Sequence, residues 1–213
     1  MFNPKSGQEI KFGFLCFLQD ILYCNVHYPA PFGGTPSPCE GDFVNRPLIL
    51  DLGTGTGCLL LALLSALPNA TGVGVDQNPR ALEQATKNAQ TLGLAGRAQF
   101  LQSNWLDHVE GKFDLIISNP PYIATQELET LAREVRDFDP LPALDGGDDG
   151  LCAYRAIIPK LKDHMTENAS ILFEVGVGQA ESVKTLLEKV GFINVLFYKD
   201  LSGIERVVGA RMI

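Results

Sequence analysis

The 213-residue sequence has no CxxC pair, only three histidines and a single tryptophan. Its cysteines, Cys16, Cys24, Cys39, Cys58 and Cys152, are odd in number. Neither a disulfide framework nor a zinc site is expected from them. A reducing, cytoplasmic setting is the plain reading. His27, His108 and His164 have no spacing that points to a metal. Positive charge is scarce: 17 Lys and Arg stand against 25 Asp and Glu, a net charge of −8. Nucleic-acid phosphates are bound by clustered Lys and Arg, so this balance disfavours a polyanionic partner. The apolar stretch 12–24 contains Gln19 and Asp20 and is too short to span a bilayer. Glu9 and the missing small-residue cleavage site separate it from a signal peptide. Internal repeats are absent.

What is present reads as one folded domain behind an irregular start. Apolar residues make up 46% of the chain, enough for a core, and a chain of this size buries roughly 70% of its unfolded surface. Residues 9–24 are expected to form a short apolar helix. Residues 25–46 carry Pro29, Pro31, Gly33, Gly34, Pro36, Pro38 and Gly41 and read as an irregular linker. A regular domain is expected over 47–213.

In that domain strands and helices alternate. "PLILDL" (47–52) is a continuous apolar run, as in a strand covered on both faces. A buried helix is expected at 56–67 and a strand at 71–76. Asn78 caps the next helix, with Pro79 in its first turn, Leu82, Ala85, Ala89 and Leu92 on one face, and Gly93 as its stop. Strands follow at 98–102, 113–118 and 170–175, with helices at 125–136, 150–165 and 179–190. The last helix turns Val183, Leu186, Leu187 and Val190 inward and stops at Gly191. Residues 192–198 and 204–212 close the chain as an antiparallel pair around Ser202 and Gly203. The expected fold is α/β: a mainly parallel sheet with helices on both faces. Ligands sit at the carboxyl ends of the strands in such sheets. That directs attention to Asp51 through Gly57, Asp76, Asn104 and Asn119.

"DLGTGTGC" sets Gly53, Gly55 and Gly57 between a strand and a helix, where backbone can approach a ligand closely. Cys58 breaks the GxGxxG pattern of a dinucleotide loop, and the GK[ST] of a phosphate loop is missing. Asp51 would repel a pyrophosphate and attract a cation. Unit charges about 4 Å apart at an effective dielectric near 20 attract by roughly 4 kcal/mol before desolvation. S-adenosylmethionine, with its sulfonium and ammonium, suits this loop better than NAD. Asp76 ends the second strand, where an acid binds ribose hydroxyls. Asn104 has an amide able to read an adenine edge, and Trp105 has a ring able to cover one. Plain turn, cap and packing roles are the competing readings for all of these.

"ISNPPYIA" (117–124) ends an apolar strand on a polar corner. A planar NH2 group is a poor nucleophile, because its lone pair is delocalised. The Asn119 side-chain oxygen and the Pro120 carbonyl are two acceptors able to grip its two hydrogens and favour the charge that develops on nitrogen. Pro120 and Pro121 fix φ and aim the carbonyl in advance. Tyr122 is an aromatic wall able to stack on the group and exclude water. Cys58 reads as packing at the head of an apolar helix. Glu127, Glu129, Glu134 and Asp137 read as a solvated helix face.

Together these motifs resemble the release factor glutamine methyltransferases, the HemK/PrmC family. The resemblance runs over 47–213 and rests on "LDLGTGTGCLLLAL", "GVDQNPRALEQATKNAQ", "FDLIISNPPYI", "EVRDFDPLPALDGGDDGL", "EVGVGQA" and "KDLSGIERVV". It implies a seven-stranded class I methyltransferase fold of the Rossmann-like kind, with a C-terminal antiparallel hairpin. It implies methyl transfer from S-adenosylmethionine to the side-chain amide nitrogen of the glutamine in the GGQ motif of peptide chain release factors. The implied cofactor contacts are Asp51, Gly53, Thr54, Gly55, Thr56, Gly57, Asp76, Asn104, Trp105 and Asn119. The implied holders of the glutamine are Asn119, Pro120, Pro121 and Tyr122. The family's N-terminal helical domain and its arginine-proline-acid motif have no counterpart in 1–46, where "YPAPFGG" (28–34) is a faint echo; that segment reads as truncated or divergent. Asn104 stands where the family commonly has Asp. Two other readings remain open. One is an N6-adenine methyltransferase on DNA or RNA, since the same corner suits an adenine amino group. The other is a cofactor-binding but idle protein or partner subunit.

Overall fold

The computed structural model describes residues 46–132 and 140–211. The helix expected at 9–24 and all but Arg46 of the linker lie outside the described residues. In chain order the elements are β1 (Leu48–Leu52), α1 (Cys58–Ala66), β2 (Thr71–Asp76), α2 (Pro79–Thr91), β3 (Ala98–Gln102), β4 (Phe113–Ser118), α3 (Cys152–Ile157), β5 (Met165–Glu174), α4 (Ala180–Lys189), β6 (Ile193–Lys199) and β7 (Glu205–Arg211). They build a seven-stranded sheet in the order β3-β2-β1-β4-β5-β7-β6. The first five strands in that order run parallel. β7 is antiparallel to both of its neighbours, β5 and β6. The mainly parallel sheet is the one expected from the alternation, and the seven strands with a C-terminal antiparallel hairpin are those the resemblance implies.

The central strands are buried on both faces, as their unbroken apolar runs predict. Neighbouring residues enter different cores. Leu50, Ile116, Ile171 and Phe173 pack with Tyr154, Ile157, Val183 and Leu187. Ile49, Ile117 and Leu172 pack with Leu60, Leu63 and Leu64 of α1. Asn78 caps α2 by accepting from the Arg80 N–H at 3.0 Å, with Pro79 at the helix start. α2 ends with Leu94 N–H donating to Ala89 O and Gly93 N–H to Gln90 O. α4 repeats the pattern, with Phe192 N–H to Leu187 O and Gly191 N–H to Glu188 O. Both are Schellman stops.

The structure departs from the sequence reading in several places. Leu92 is 57% exposed and Leu94 is 6% exposed, so the reversal after α2 hands the buried position to the later leucine. In the segment expected as a helix over 125–136, the described part is a 3-10 turn, Thr125–Thr130, which ends at an extended Leu131; 133–136 lie outside the described residues. The turn has no side-chain cap and only Leu128 buried. Glu127 and Glu129 are exposed there, while Glu134 and Asp137 lie outside the described residues. The helix expected over 150–165 is α3 followed by a 3-10 run, Ile158–His164. Pro159 lacks an N–H and breaks the α-helical ladder at that junction. β5 begins earlier than expected, at Met165, and its pairing with β4 shifts register between Phe113 and Leu115.

From β1 the chain moves outward to β2 and β3, then crosses to β4 on the other side of β1. The crevice of such a sheet opens between β1 and β4. Leu52 and Ser118 are register partners, and Ser118 Oγ donates to Leu52 O at 2.8 Å. Gly53 and Asn119 therefore leave the sheet side by side.

Candidate functional site

The glycine loop leaves β1 through three left-handed residues, Gly53 (φ 73°), Gly55 (φ 55°) and Gly57 (φ 78°). Gly53 and Thr54 N–H groups both donate to Val75 O at 2.9 Å, which ties the loop to β2. A Cβ at Gly55 would meet nothing within 4 Å, so this backbone borders open space. Asp51 lies beneath the loop at 1% exposure. Its Oδ2 accepts from Thr54 Oγ1 at 2.6 Å, and its Oδ1 is buried with no hydrogen-bond partner. Burial pushes its carboxyl up to about 7, the Thr54 hydrogen bond opposes that, and the nearby Asp76 charge adds to it. Thr56 Oγ1 lies 3.1 Å from Cys58 Sγ.

Asp76 is held by backbone on both oxygens. Oδ2 accepts from Gly55 N–H at 2.8 Å and Oδ1 from Asn78 N–H at 2.8 Å. A carboxylate oxygen has a second lone pair, so this anchoring leaves Asp76 acceptor capacity for a ligand. The Asn104 amide is engaged at both ends, Oδ1 with Gln77 Nε2 and Nδ2 with Asp107 Oδ2, each at 2.9 Å. Asp107 in turn accepts from Lys160 Nζ at 2.5 Å. Asn104 is exposed, and each end of its amide keeps a further lone pair or hydrogen beyond these two bonds. Trp105 adopts φ 51°, an unusual state for a bulky residue. Its ring lies against the glycine loop: a Cβ on Gly53 would stand 3.2 Å from Trp105 Cζ3.

Asn119 is partly buried, and its amide makes no hydrogen bond among the described residues. Pro120 is buried, Pro121 and Tyr122 partly so. The Tyr122 hydroxyl lies 3.4 Å from Glu174 Oε1 and donates to it. Burial first, then the Glu174 charge, pushes that hydroxyl up to about 12.

Sequence reasoning missed the residues that secure this corner. Gln179 Nε2 donates to Tyr122 O at 2.8 Å, and Gly176 N–H donates to Gln179 Oε1 at 2.9 Å. The "LDGGDDGL" segment lies alongside. Ile123 N–H donates to Leu144 O at 3.1 Å and Gly146 N–H to Ile123 O at 2.8 Å. Asp145 Oδ1 accepts from Thr125 Oγ1 at 2.7 Å and from Gly147 N–H at 2.9 Å. These bonds hold the Asp145 carboxyl below the usual carboxylate range. The signal in the sequence was the cluster Gly146, Gly147 and Gly150, at each of which a Cβ would stand within 3 Å of a neighbouring atom.

Comparison with known proteins agrees with this picture. The methyltransferase small domain family matches residues 43–135. The release factor glutamine methyltransferase of Bradyrhizobium diazoefficiens is 48% identical over 173 residues, which are 81% of this chain and 58% of that protein. The one from Geobacter sulfurreducens is 42% identical over 77% of this chain and 57% of that protein. The chain thus spans a little over half the length of these relatives. Among solved structures, a methyltransferase from Pyrococcus furiosus superposes with a TM-score of 0.59 at 15% identity, covering 98% of this chain and 100% of that one. TrmN from Thermus thermophilus gives 0.53 at 16% identity, covering 78% and 44%. These two matches speak to the fold alone. With its sheet order, its glycine loop and its sequence relatives in agreement, the chain has the class I methyltransferase fold and is a relative of the release factor glutamine methyltransferases.

Proposed function

We propose that this chain binds S-adenosylmethionine on its glycine loop and methylates the side-chain amide nitrogen of the glutamine in the GGQ motif of peptide chain release factors. The observation that carries this reading is the pairing of Leu52 with Ser118, which sets the glycine loop beside an unengaged Asn119 amide. The loop fits the cofactor. The backbone at Gly55 borders open space, and the buried, unpartnered Asp51 Oδ1 suits a cation. Gly53 to Gly57, Asp51, Asp76, Asn104 and Trp105 would hold it. Bound there, S-adenosylmethionine supplies an electrophilic methyl group on a sulfonium sulfur.

The chain's own work is grip and orientation. Asn119 Oδ1 accepts one hydrogen of the substrate amide and the Pro120 carbonyl the other. Pro121 keeps that carbonyl fixed. Tyr122 walls the planar group and keeps water out. Orienting both reactants contributes roughly 7–11 kcal/mol to such a reaction. The chain's negative balance and the names of its sequence relatives support a protein substrate. We place the reaction in the cytoplasm, in line with the exposed free thiols of Cys58 and Cys152; among the described residues no helix is long and apolar enough to cross a membrane.

The test offers labelled S-adenosylmethionine with a purified release factor and, separately, with DNA and RNA. Label on the GGQ glutamine, located by peptide mass spectrometry, is the expected result. Label in nucleic acid alone would establish the adenine reading. Cofactor binding by calorimetry without transfer to any of them would establish the idle one.

A further inference from the structure

Gln179 is the N-cap residue of α4, yet its side chain makes no capping bond to that helix. A capping side chain normally accepts from an N–H two or three residues ahead. Here the amide turns backward and outward instead. Oε1 accepts from Gly176 N–H at 2.9 Å, and Nε2 donates to Tyr122 O at 2.8 Å, 57 residues away.

Glycines on two separate loops clear the room for it. A Cβ at Gly176 would stand 2.8 Å from Gln179 Oε1 and 3.1 Å from Tyr122 Cδ2. A Cβ at Gly150 would stand 2.4 Å from Gln179 Nε2 and 2.3 Å from Tyr122 O. At Gly150, left-handed and against backbone, no side chain fits; at Gly176 a side chain would displace the Gln179 amide. Meanwhile the Tyr122 hydroxyl is held from the other end by Glu174 Oε1 at 3.4 Å. A local rule is broken, and space is reserved from two directions, for one amide bridge. Departures of this kind gather where a site needs them.

We propose that Gln179 is a positioning residue for amide methylation. It pins the Tyr122 carbonyl and thereby fixes the direction in which the Pro120 carbonyl and the Asn119 side chain present themselves to the substrate. The proposal rests on the function proposed above. Both hydrogens of the Gln179 amide group matter less than its two-sidedness: it accepts from one loop and donates to another. Asn119, Pro120 and Pro121 have no comparable hold of their own. Pro120 and Pro121 lack an N–H, and the Asn119 amide is unengaged.

Gln179→Glu separates positioning from bulk structure. The carboxylate keeps the acceptor for Gly176 but loses the donor to Tyr122 O; protonated, it regains a donor. With a release factor as substrate, turnover of Gln179→Glu should be down about 10²-fold at neutral pH, with cofactor affinity unchanged. It should recover towards wild type as pH falls, a trend wild type does not share. A Gln179→Glu pH profile parallel to wild type would overturn the proposal. A second measurement needs no activity. In Gln179→Ala, amide hydrogen exchange should quicken at Gly176 and Ile123 and stay unchanged in the glycine loop. Equal exchange in the two proteins would overturn the clamp. If wild type methylates no release factor, the proposed function falls while the exchange comparison still decides whether Gln179 holds the corner.

Discussion

Asp51 carries the clearest pH dependence in the molecule. Its carboxyl titrates near 7 because burial opposes the charge. A cationic cofactor binds the ionised form better, so affinity should rise as pH climbs through about 7 and level off above it. Calorimetry at several pH values reads this directly, and Asp51→Asn should flatten the curve. Stability runs the other way. An acid whose folded pKa stands above its unfolded value stabilises the fold fully below the unfolded value of 3.8, and that contribution is lost as pH rises to about 7. The cofactor-free Asp51→Asn chain should therefore lose less stability than wild type between those values in denaturant titrations. At Asn119 the expectation is a split. Asn119→Ala should cut turnover about 10²–10³-fold, the scale of losing one preorganised group at the reacting centre, with cofactor affinity nearly intact. A comparable loss of cofactor binding would move Asn119 to the other side of the site.

Among the elements, α1 depends on a distant arginine. Arg97, just before β3, donates to Leu67 O, Ala70 O and Leu64 O at 3.0, 2.9 and 2.7 Å. It thereby satisfies carbonyls at and beyond the end of a helix that has no basic residue in its last turn. Arg97→Met keeps the aliphatic stem but takes the guanidinium from Leu64 O and Ala70 O and leaves Leu67 O with the Ala70 N–H alone. It should cost about 2 kcal/mol in denaturant unfolding, with the cofactor site intact. Gly150→Ala, at φ 72° against the Tyr122 carbonyl, should cost about 1–3 kcal/mol and lower turnover as well. Arg97 did not announce itself in the sequence, and the glycine cluster around Gly150 did so without naming its partner. Alternation of apolar runs, caps and glycine stops made the strands and the helices α1, α2 and α4 legible, because those signals are local. Arg97, Gln179 and Gly150 act on partners 27 to 57 residues or whole loops away, and one sequence carries no trace of such pairings. Thr125–Thr130 misled for the opposite reason: its polar periodicity resembles a helix face, while its backbone is tied to the Asp145 loop.

Taken whole, the molecule places its chemistry at one edge of the sheet and its weakness at another. The motif spacing set the glycine loop and Asn119 at the carboxyl ends of β1 and β4, and the structure pairs those two strands as neighbours. It gave no warning of the β6 edge, where Ile193 and Leu196 are 56% and 55% exposed and Leu201 on the adjoining turn is fully so. An edge strand whose outer side has no partner among the described strands, with apolar side chains exposed, is a template for another copy. This chain should self-associate as its concentration rises, and Leu196→Lys should raise the threshold, seen by light scattering, without lowering the melting temperature. The β7 strand has a further consequence. It is latest in the chain, yet it sits inside the sheet as the sole bridge between β5 and β6. Until Glu205–Arg211 has been synthesised and slotted home, β6 lacks its ladder partner and β5 keeps a raw edge. The fold is sealed like an arch, by the stone set last.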